Sequence, residues 1–232
     1  MILDNYKSGV VVVYSMPRSG TTLFCEFLER KLGLENAGEI FHTKNKNAQQ
    51  KASRVITQAN LYNKDFICKY FPGTDVFDKS KFKNRQNFYK VNLVRKNIAK
   101  QFTSLIIAKT TNEWQAKGFG KNPTDTTRKH LDIDSQLMLD VFGRFVRALY
   151  IKENVDKKTK YDEEFYYEDI IDYLNENKQK DITNIPSIKP SNYNFIYIEV
   201  VNLLKSYIKN NDSVPECIKE WHTYFQQNGF RK

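Results

Sequence analysis

Apolar positions along the chain follow two rhythms. The first is the short β-branched run Val10-Val11-Val12-Val13-Tyr14, placed after the turn residues Ser8-Gly9; such a run predicts a buried strand. Similar runs predict strands at Phe66–Phe71, Phe88–Val94 and Phe165–Tyr167. The second rhythm is helical. From about Thr21 to Leu32 the residues Leu23, Phe27 and Leu28 share one face, as an amphipathic helix requires. Further helical patterns cover about 46–61, 97–109, 134–153, 169–176, 195–209 and 215–228, and Ile98, Phe102, Leu105 and Ile106 form the apolar stripe of the 97–109 segment. Strands alternating with helices predict an α/β fold: three layers, with a mostly parallel sheet flanked by helices. The stretch from Trp114 to Arg128, rich in Gly, Asn, Thr and Lys, reads as a long loop, either a functional lid or a surface segment.

Composition narrows the class. A length of 232 residues suits one domain with a substantial core, and neither an internal repeat nor a Gly/Ser- or Pro-rich linker divides it, so a single domain over 1–232 is expected. The three cysteines Cys25, Cys68 and Cys217 are scattered, as are His42, His130 and His222. Neither set has metal-ligand spacing, and the cysteines point to a reducing, cytoplasmic compartment and not to a disulfide framework. The polar start of the chain is unlike a secretory signal, and no apolar stretch approaches the ~20 residues of a membrane span. A formal charge of +10, without a block of like charges, fits a basic surface that favours a polyanionic ligand.

The strongest chemical signal is Val10-Val-Val-Val-Tyr-Ser-Met-Pro-Arg-Ser-Gly-Thr-Thr22 running into a helix. Backbone N–H groups around Arg18, Ser19, Gly20, Thr21 and Thr22 stand at a helix N-terminus, where they and the helix dipole favour an anion. Thr21 and Thr22 add hydroxyls, and Arg18 adds a fork of charged donors. No lysine follows Gly20, so this is not a Walker A loop. The string resembles the 5′-phosphosulfate loop of the sulfotransferases that use 3′-phosphoadenosine-5′-phosphosulfate (PAPS), written Pro-Lys/Arg-Ser-Gly-Thr-Thr, and is closest in flavour to bacterial, lipopolysaccharide-type members.

Two further stretches carry the resemblance. In Val91-Asn-Leu-Val-Arg95-Lys96-Asn97 and the helix after it, the family places an Arg at a strand end and a Ser eight positions later, and both hold the 3′-phosphate. Here Lys96 to Ser104 gives eight, Arg95 to Ser104 gives nine, and Arg95 to Thr103 also gives eight. Ser104 followed by Leu105 is similar to the family pattern, and either Arg95 or Lys96 is its cation. Phe165-Tyr-Tyr-Glu168-Asp169-Ile170 resembles the family's Tyr-Glu-Asp strand end, a structural marker. In Ala37-Gly-Glu-Ile-Phe-His42 the Gly-Glu pair is similar to the segment that carries a carboxylate near the acceptor in some bacterial members. Glu39 and His42 are therefore the two candidates for the base that takes the acceptor's proton.

The resemblance spans about Val10 to Tyr173; residues 174–232 match nothing and read as helical. It departs from the family at Leu23, where many cytosolic members carry a Trp that stacks on adenine. The late Arg-Lys-Gly loop also has no better counterpart than the terminal Gly229-Phe-Arg-Lys232. The resemblance implies a P-loop-like fold, PAPS as sulfuryl donor, no metal, and a small-molecule or glycan acceptor bearing a hydroxyl or amine. The alternatives are a P-loop small-molecule kinase and a non-catalytic basic nucleic-acid-binding protein; the second leaves the phosphate loop unexplained.

Overall fold

The computed structural model describes residues 3, 5–41, 46–62, 64–73, 88–112, 130–176 and 190–228. In chain order these form β1 (Val10–Ser15), α1 (Thr21–Leu32), β2 (Glu35–Gly38), α2 (Lys46–Tyr62), β3 (Phe66–Tyr70), β4 (Phe88–Val94), α3 (Ile98–Thr111), α4 (Ser135–Asp156), β5 (Glu163–Tyr166), α5 (Tyr167–Glu176), α6 (Tyr193–Asn210) and α7 (Glu216–Asn228). The fold is α/β, as the alternation predicts. The loop at 114–128, His42 and the terminal Gly229–Lys232 lie outside the described residues. The chain divides into two compact units, one of Met1–Val94 with Asn154–Ile170 and one of Arg95–Glu153 with Ile171–Lys232. No helix among the described residues is long and apolar enough to cross a membrane.

The first unit holds a five-stranded sheet in the order β2-β3-β1-β4-β5, parallel at every pairing. All six residues of β1 are buried, so both faces of the central strand are covered, the condition a three-layer architecture sets. The connection β1-α1-β2 runs outward and β2-α2-β3 runs back inward. Right-handed crossovers then place α1 and α2 on opposite faces, and the contacts agree. Ala52, Val55 and Ala59 of α2 pack with Val10, Val12, Tyr14, Phe66 and Cys68, while α1 meets Ser15 and Lys69, which point the other way.

The sequence pattern missed β2. Its four residues, Glu35-Asn-Ala-Gly38, have poor strand propensity, but pairing with β3 overrides that preference, with a register shift between Asn36 and Gly38. Tyr167, expected at the end of a strand, instead opens α5. Glu168 and Asp169 fall in the first turn of that helix, where carboxylates suit the helix dipole.

The second unit is helical. Ile98, Phe102 and Ile106 of α3 are buried as predicted, but Leu105 is only half-buried, and Gln101, Thr103 and Ile107 are buried too. Phe102 stacks on Phe145 (ring centroids 5.1 Å apart) and packs on Phe142 at 5.4 Å, both from α4. In α7, Trp221 is 1% exposed and packs on Phe225. Phe102→Ala is expected to cost about 3–5 kcal/mol in urea unfolding through the cavity it leaves. Phe195→Ala, at a side chain 64% exposed, should stay within about 0.5 kcal/mol of the parent.

Candidate anion-binding site at the carboxyl end of β1

All five strands present their carboxyl ends on one edge of the sheet, and β1 lies where the strand order reverses, with β2 and β3 on one side and β4 and β5 on the other. In open parallel sheets that switch point is where ligands sit. The loop that leaves β1 there is tightly turned. Ser19 N–H donates to the Met16 carbonyl at 3.2 Å, and Arg18 and Gly20 are both left-handed, at φ 65° and 79°. Left-handed residues flanking Ser19 curl the backbone as anion-binding nests are curled. Gly20 is the residue before α1 and brings no side chain to cap it. The first intrahelical bond runs from Phe24 N–H to the Gly20 carbonyl at 3.0 Å. The amides of Thr21, Thr22 and Leu23 therefore precede the helical ladder and are left for an outside acceptor.

The predicted loop residues divide by task. Ser19 is 1% exposed, and its amide is spent on the turn. Thr21 is buried, with its hydroxyl 2.7 Å from that of Ser15, which ties the first residue of α1 to the last residue of β1. Thr22 is half-buried and accepts a hydrogen bond from Lys69 Nζ at 2.9 Å. Arg18 is half-buried and engaged with neighbouring groups.

Lys69 is the residue beside the loop that the sequence pattern did not single out. It sits on β3, opposite Val13 of β1, and is only 5% exposed. A buried ammonium is costly unless its charge is used. The available signal was a lone lysine in the otherwise apolar strand Phe66-Ile-Cys-Lys-Tyr70. Other charges gather around it. The Cys25 thiol, pushed up to about 12 chiefly by burial, also senses Lys69, Glu26, Glu29 and Glu39. A thiol so far from ionisation is inert as a nucleophile. Glu39 is exposed and directly follows edge strand β2, so it stands on the same sheet edge as the loop and within electrostatic reach of Cys25.

The third motif has a structural task in the same unit. The Tyr167 ring lies over Gly20 so closely that a Cβ there would stand 2.1 Å from Tyr167 Cδ2. Glycine is required twice over at this position, by φ and by the ring. Phe165 packs on Phe24 of α1 at 5.2 Å. The Phe-Tyr-Tyr-Glu-Asp segment thus braces the start of α1.

The 3′-phosphate candidates belong to the second unit. Thr103 drops out as a ligand donor: it is buried and its hydroxyl donates to the Ala99 carbonyl at 2.8 Å. Ser104 is half-buried, Arg95 is half-buried and Lys96 is exposed. Asn97 caps α3, its side chain accepting from Lys100 N–H at 2.9 Å. The Tyr193 hydroxyl is pushed up by burial, an effect that the Arg95 charge partly offsets, so Arg95 lies near the start of α6. Among the described residues no group of three His, Cys, Asp or Glu side chains is arranged to hold a metal ion.

No family model matches the chain, and no curated protein matches it. Among solved structures, an uncharacterized protein from Eubacterium ventriosum ATCC 27560 is similar at a TM-score of 0.38 and 10% identity, over 72% of this chain and 98% of that one.

Gly20→Ala is expected to destabilise the protein by at least about 1–3 kcal/mol, from left-handed strain plus the clash with the ring. Thermal melts of Gly20→Ala, Tyr167→Ala and the double variant test the cause. The two changes should couple by about 0.5–3 kcal/mol, because removing the ring relieves the clash. Strict additivity would mean that the ring yields without cost.

Proposed function

We propose that the chain is a sulfotransferase that moves a sulfuryl group from PAPS to a hydroxyl or amine of a small-molecule or glycan acceptor. The observation that carries this is the Lys69–Thr22 hydrogen bond beside the uncapped first turn of α1. Uncapped amides, a buried ammonium and Arg18 form a donor set suited to a compact, multiply charged tetrahedral group. Thr22 stands where a Walker loop places the hydroxyl that binds magnesium. Here that oxygen faces an ammonium, which a divalent cation would have to displace against charge repulsion. This favours a metal-independent sulfuryl donor over the magnesium nucleotide of a P-loop kinase. The basic nucleic-acid-binding alternative has no comparable observation in its favour.

On this reading the residues have separate tasks. The amides of Thr21 and Thr22 with Lys69 and Arg18 hold the 5′-phosphosulfate and stabilise the negative charge that builds on the bridging phosphate oxygen as the sulfur–oxygen bond breaks. The donor supplies the sulfuryl group and leaves as adenosine 3′,5′-bisphosphate. Glu39, exposed on the ligand-binding edge, takes the acceptor's proton as its oxygen or nitrogen bonds to sulfur; His42 is the second candidate for that step. Arg95 or Lys96, with Ser104, grips the 3′-phosphate. A guanidinium can do so bidentately, and Arg95 is the less exposed of the two cations.

Adenosine 3′,5′-bisphosphate at 100 times its dissociation constant should stabilise the fold by about 2.7 kcal/mol, a melting shift of roughly 5–10 °C. ADP and Mg-ATP should do much less, since neither carries a 3′-phosphate; an equal shift with Mg-ATP would favour the kinase. Glu39→Gln should leave bisphosphate binding unchanged and lower turnover by about 10²–10⁴-fold. Normal turnover in that variant, with loss in His42→Ala, would move the base to the histidine.

A further inference from the structure

Glu26 takes no part in the mechanism above, yet its setting is unusual. Among the described residues its Oε2 is the one buried carboxylate oxygen that accepts no hydrogen bond. Leaving such an atom unbonded costs about 1–3 kcal/mol or more, and natural structures keep few of them without a use. Glu26 stands four residues after Thr22 in α1, one turn further along the same helix face. Among the described residues the Thr22 hydroxyl accepts from Lys69 Nζ, and the Lys69 charge also reaches Glu26. Burial raises the Glu26 carboxyl above its ordinary range; Lys69 and then Arg30 pull it back, and Glu29 raises it again. Glu29 is itself engaged by Asn36 of β2, whose Nδ2 donates to its Oε2 at 3.5 Å. Cys25, next to Glu26 in α1, stays protonated because burial pushes its thiol up, and Lys69, Glu26, Glu29 and Glu39 all act on it.

We propose that Glu26 is a positioning residue of the anion site: its half-buried carboxylate, with one oxygen buried and unbonded, stands in the field of the ammonium that bonds Thr22 and competes for that charge with a sulfate- or phosphate-like group bound at the loop. This rests on reading the β1–α1 loop as an anion site. When Glu26 is ionised, the Lys69 charge is partly neutralised from below. When Glu26 is protonated, the whole charge is available at Thr22. Because burial raises the carboxyl, the change falls at less acid pH than for an exposed glutamate. Anion affinity therefore rises as pH falls through the Glu26 titration and declines as pH climbs past it.

Inorganic sulfate is the probe, since its own charge is constant across the range, with ionic strength held fixed by chloride. Titration calorimetry on the full chain should show wild type binding sulfate at least about thirtyfold more tightly near about pH 5 than near about pH 8, the effect expected of one charge on another at roughly 8 Å in a protein environment. Glu26→Gln should lose that pH dependence and bind near about pH 8 as tightly as wild type does in acid. Lys69→Met should bind weakly at both. Wild-type pH dependence retained in Glu26→Gln, or weaker binding by that variant near about pH 8, overturns the role of Glu26 and leaves the loop as an anion site. Absence of sulfate binding in every protein overturns both. A ligand-free measurement guards against misfolded variants. The ¹³C carboxyl resonance of Glu26 should titrate at higher pH in Lys69→Met than in wild type, and an unmoved midpoint overturns the proposal.

Discussion

The burial of every residue of β1 is the constraint from which the rest of the structure follows. A strand covered on both faces cannot alternate polar and apolar residues, and Val10-Val-Val-Val-Tyr-Ser15 does not. Each valine so buried contributes roughly 1.5–3 kcal/mol, and the partners that bury it must come from two different helices. The chain meets this by sending α1 and α2 to opposite faces on successive crossovers. A strand pinned in that way has its carboxyl end fixed within the sheet, in register with β3 through Tyr70 and with β4 through Leu93. The loop that leaves it is therefore held by rigid elements, with Ser15 bonded to Thr21 across it and Tyr167 laid on Gly20.

That rigidity is what makes a buried charge tolerable. Lys69 could be placed on the α1 face of β3 only because the side-chain alternation of a strand directs it there, opposite Cys68, which faces α2. Once there, its ammonium has the Thr22 hydroxyl at 2.9 Å, and its charge reaches Glu26, one helical turn beyond Thr22 in α1. The three groups occupy two secondary-structure elements whose spacing is set by sheet-helix packing. A flexible loop could not hold an ammonium in so dry a place, because the desolvation penalty would drive it to solvent.

Much of this was legible in the sequence. Four of the five strands and all the helices of the described residues carry clear periodic signals, since a run such as Phe88–Val94 or the stripe Ile98/Phe102/Ile106 records burial directly. The strand β2 was not legible. Glu35-Asn-Ala-Gly38 has neither alternation nor β-branched residues, and only the pairing surface offered by β3 makes it a strand. The strand-turn-helix of Val10 to Leu32 was legible from residue order, with Gly20 at the left-handed position before α1. Lys69 and Glu26 were not, since each is a single charged residue inside an apolar pattern and their relation is created by folding. The same holds for Thr103 and Ser104, which spacing could not separate. They part only when the helix buries one and turns its hydroxyl back on Ala99.

The net charge of +10 gains a different meaning from this arrangement. A nucleic-acid surface uses many solvated cations in a row, and its affinity comes from releasing counterions along a polyanion. The β1 loop instead carries Arg18 and stands beside one buried lysine, Lys69, which bonds the Thr22 hydroxyl and has the Glu26 carboxylate in its field. Such a pair of opposed charges is poorly suited to a long backbone but well suited to one compact anion, whose charge can tip the balance between them. Away from solvent each unit of charge counts for more than at the surface, so a small group carrying two negative charges suits a site that includes the buried Lys69. On the function proposed above, specificity is set by how many charges the bound group brings and by where the remaining donors hold the rest of the ligand.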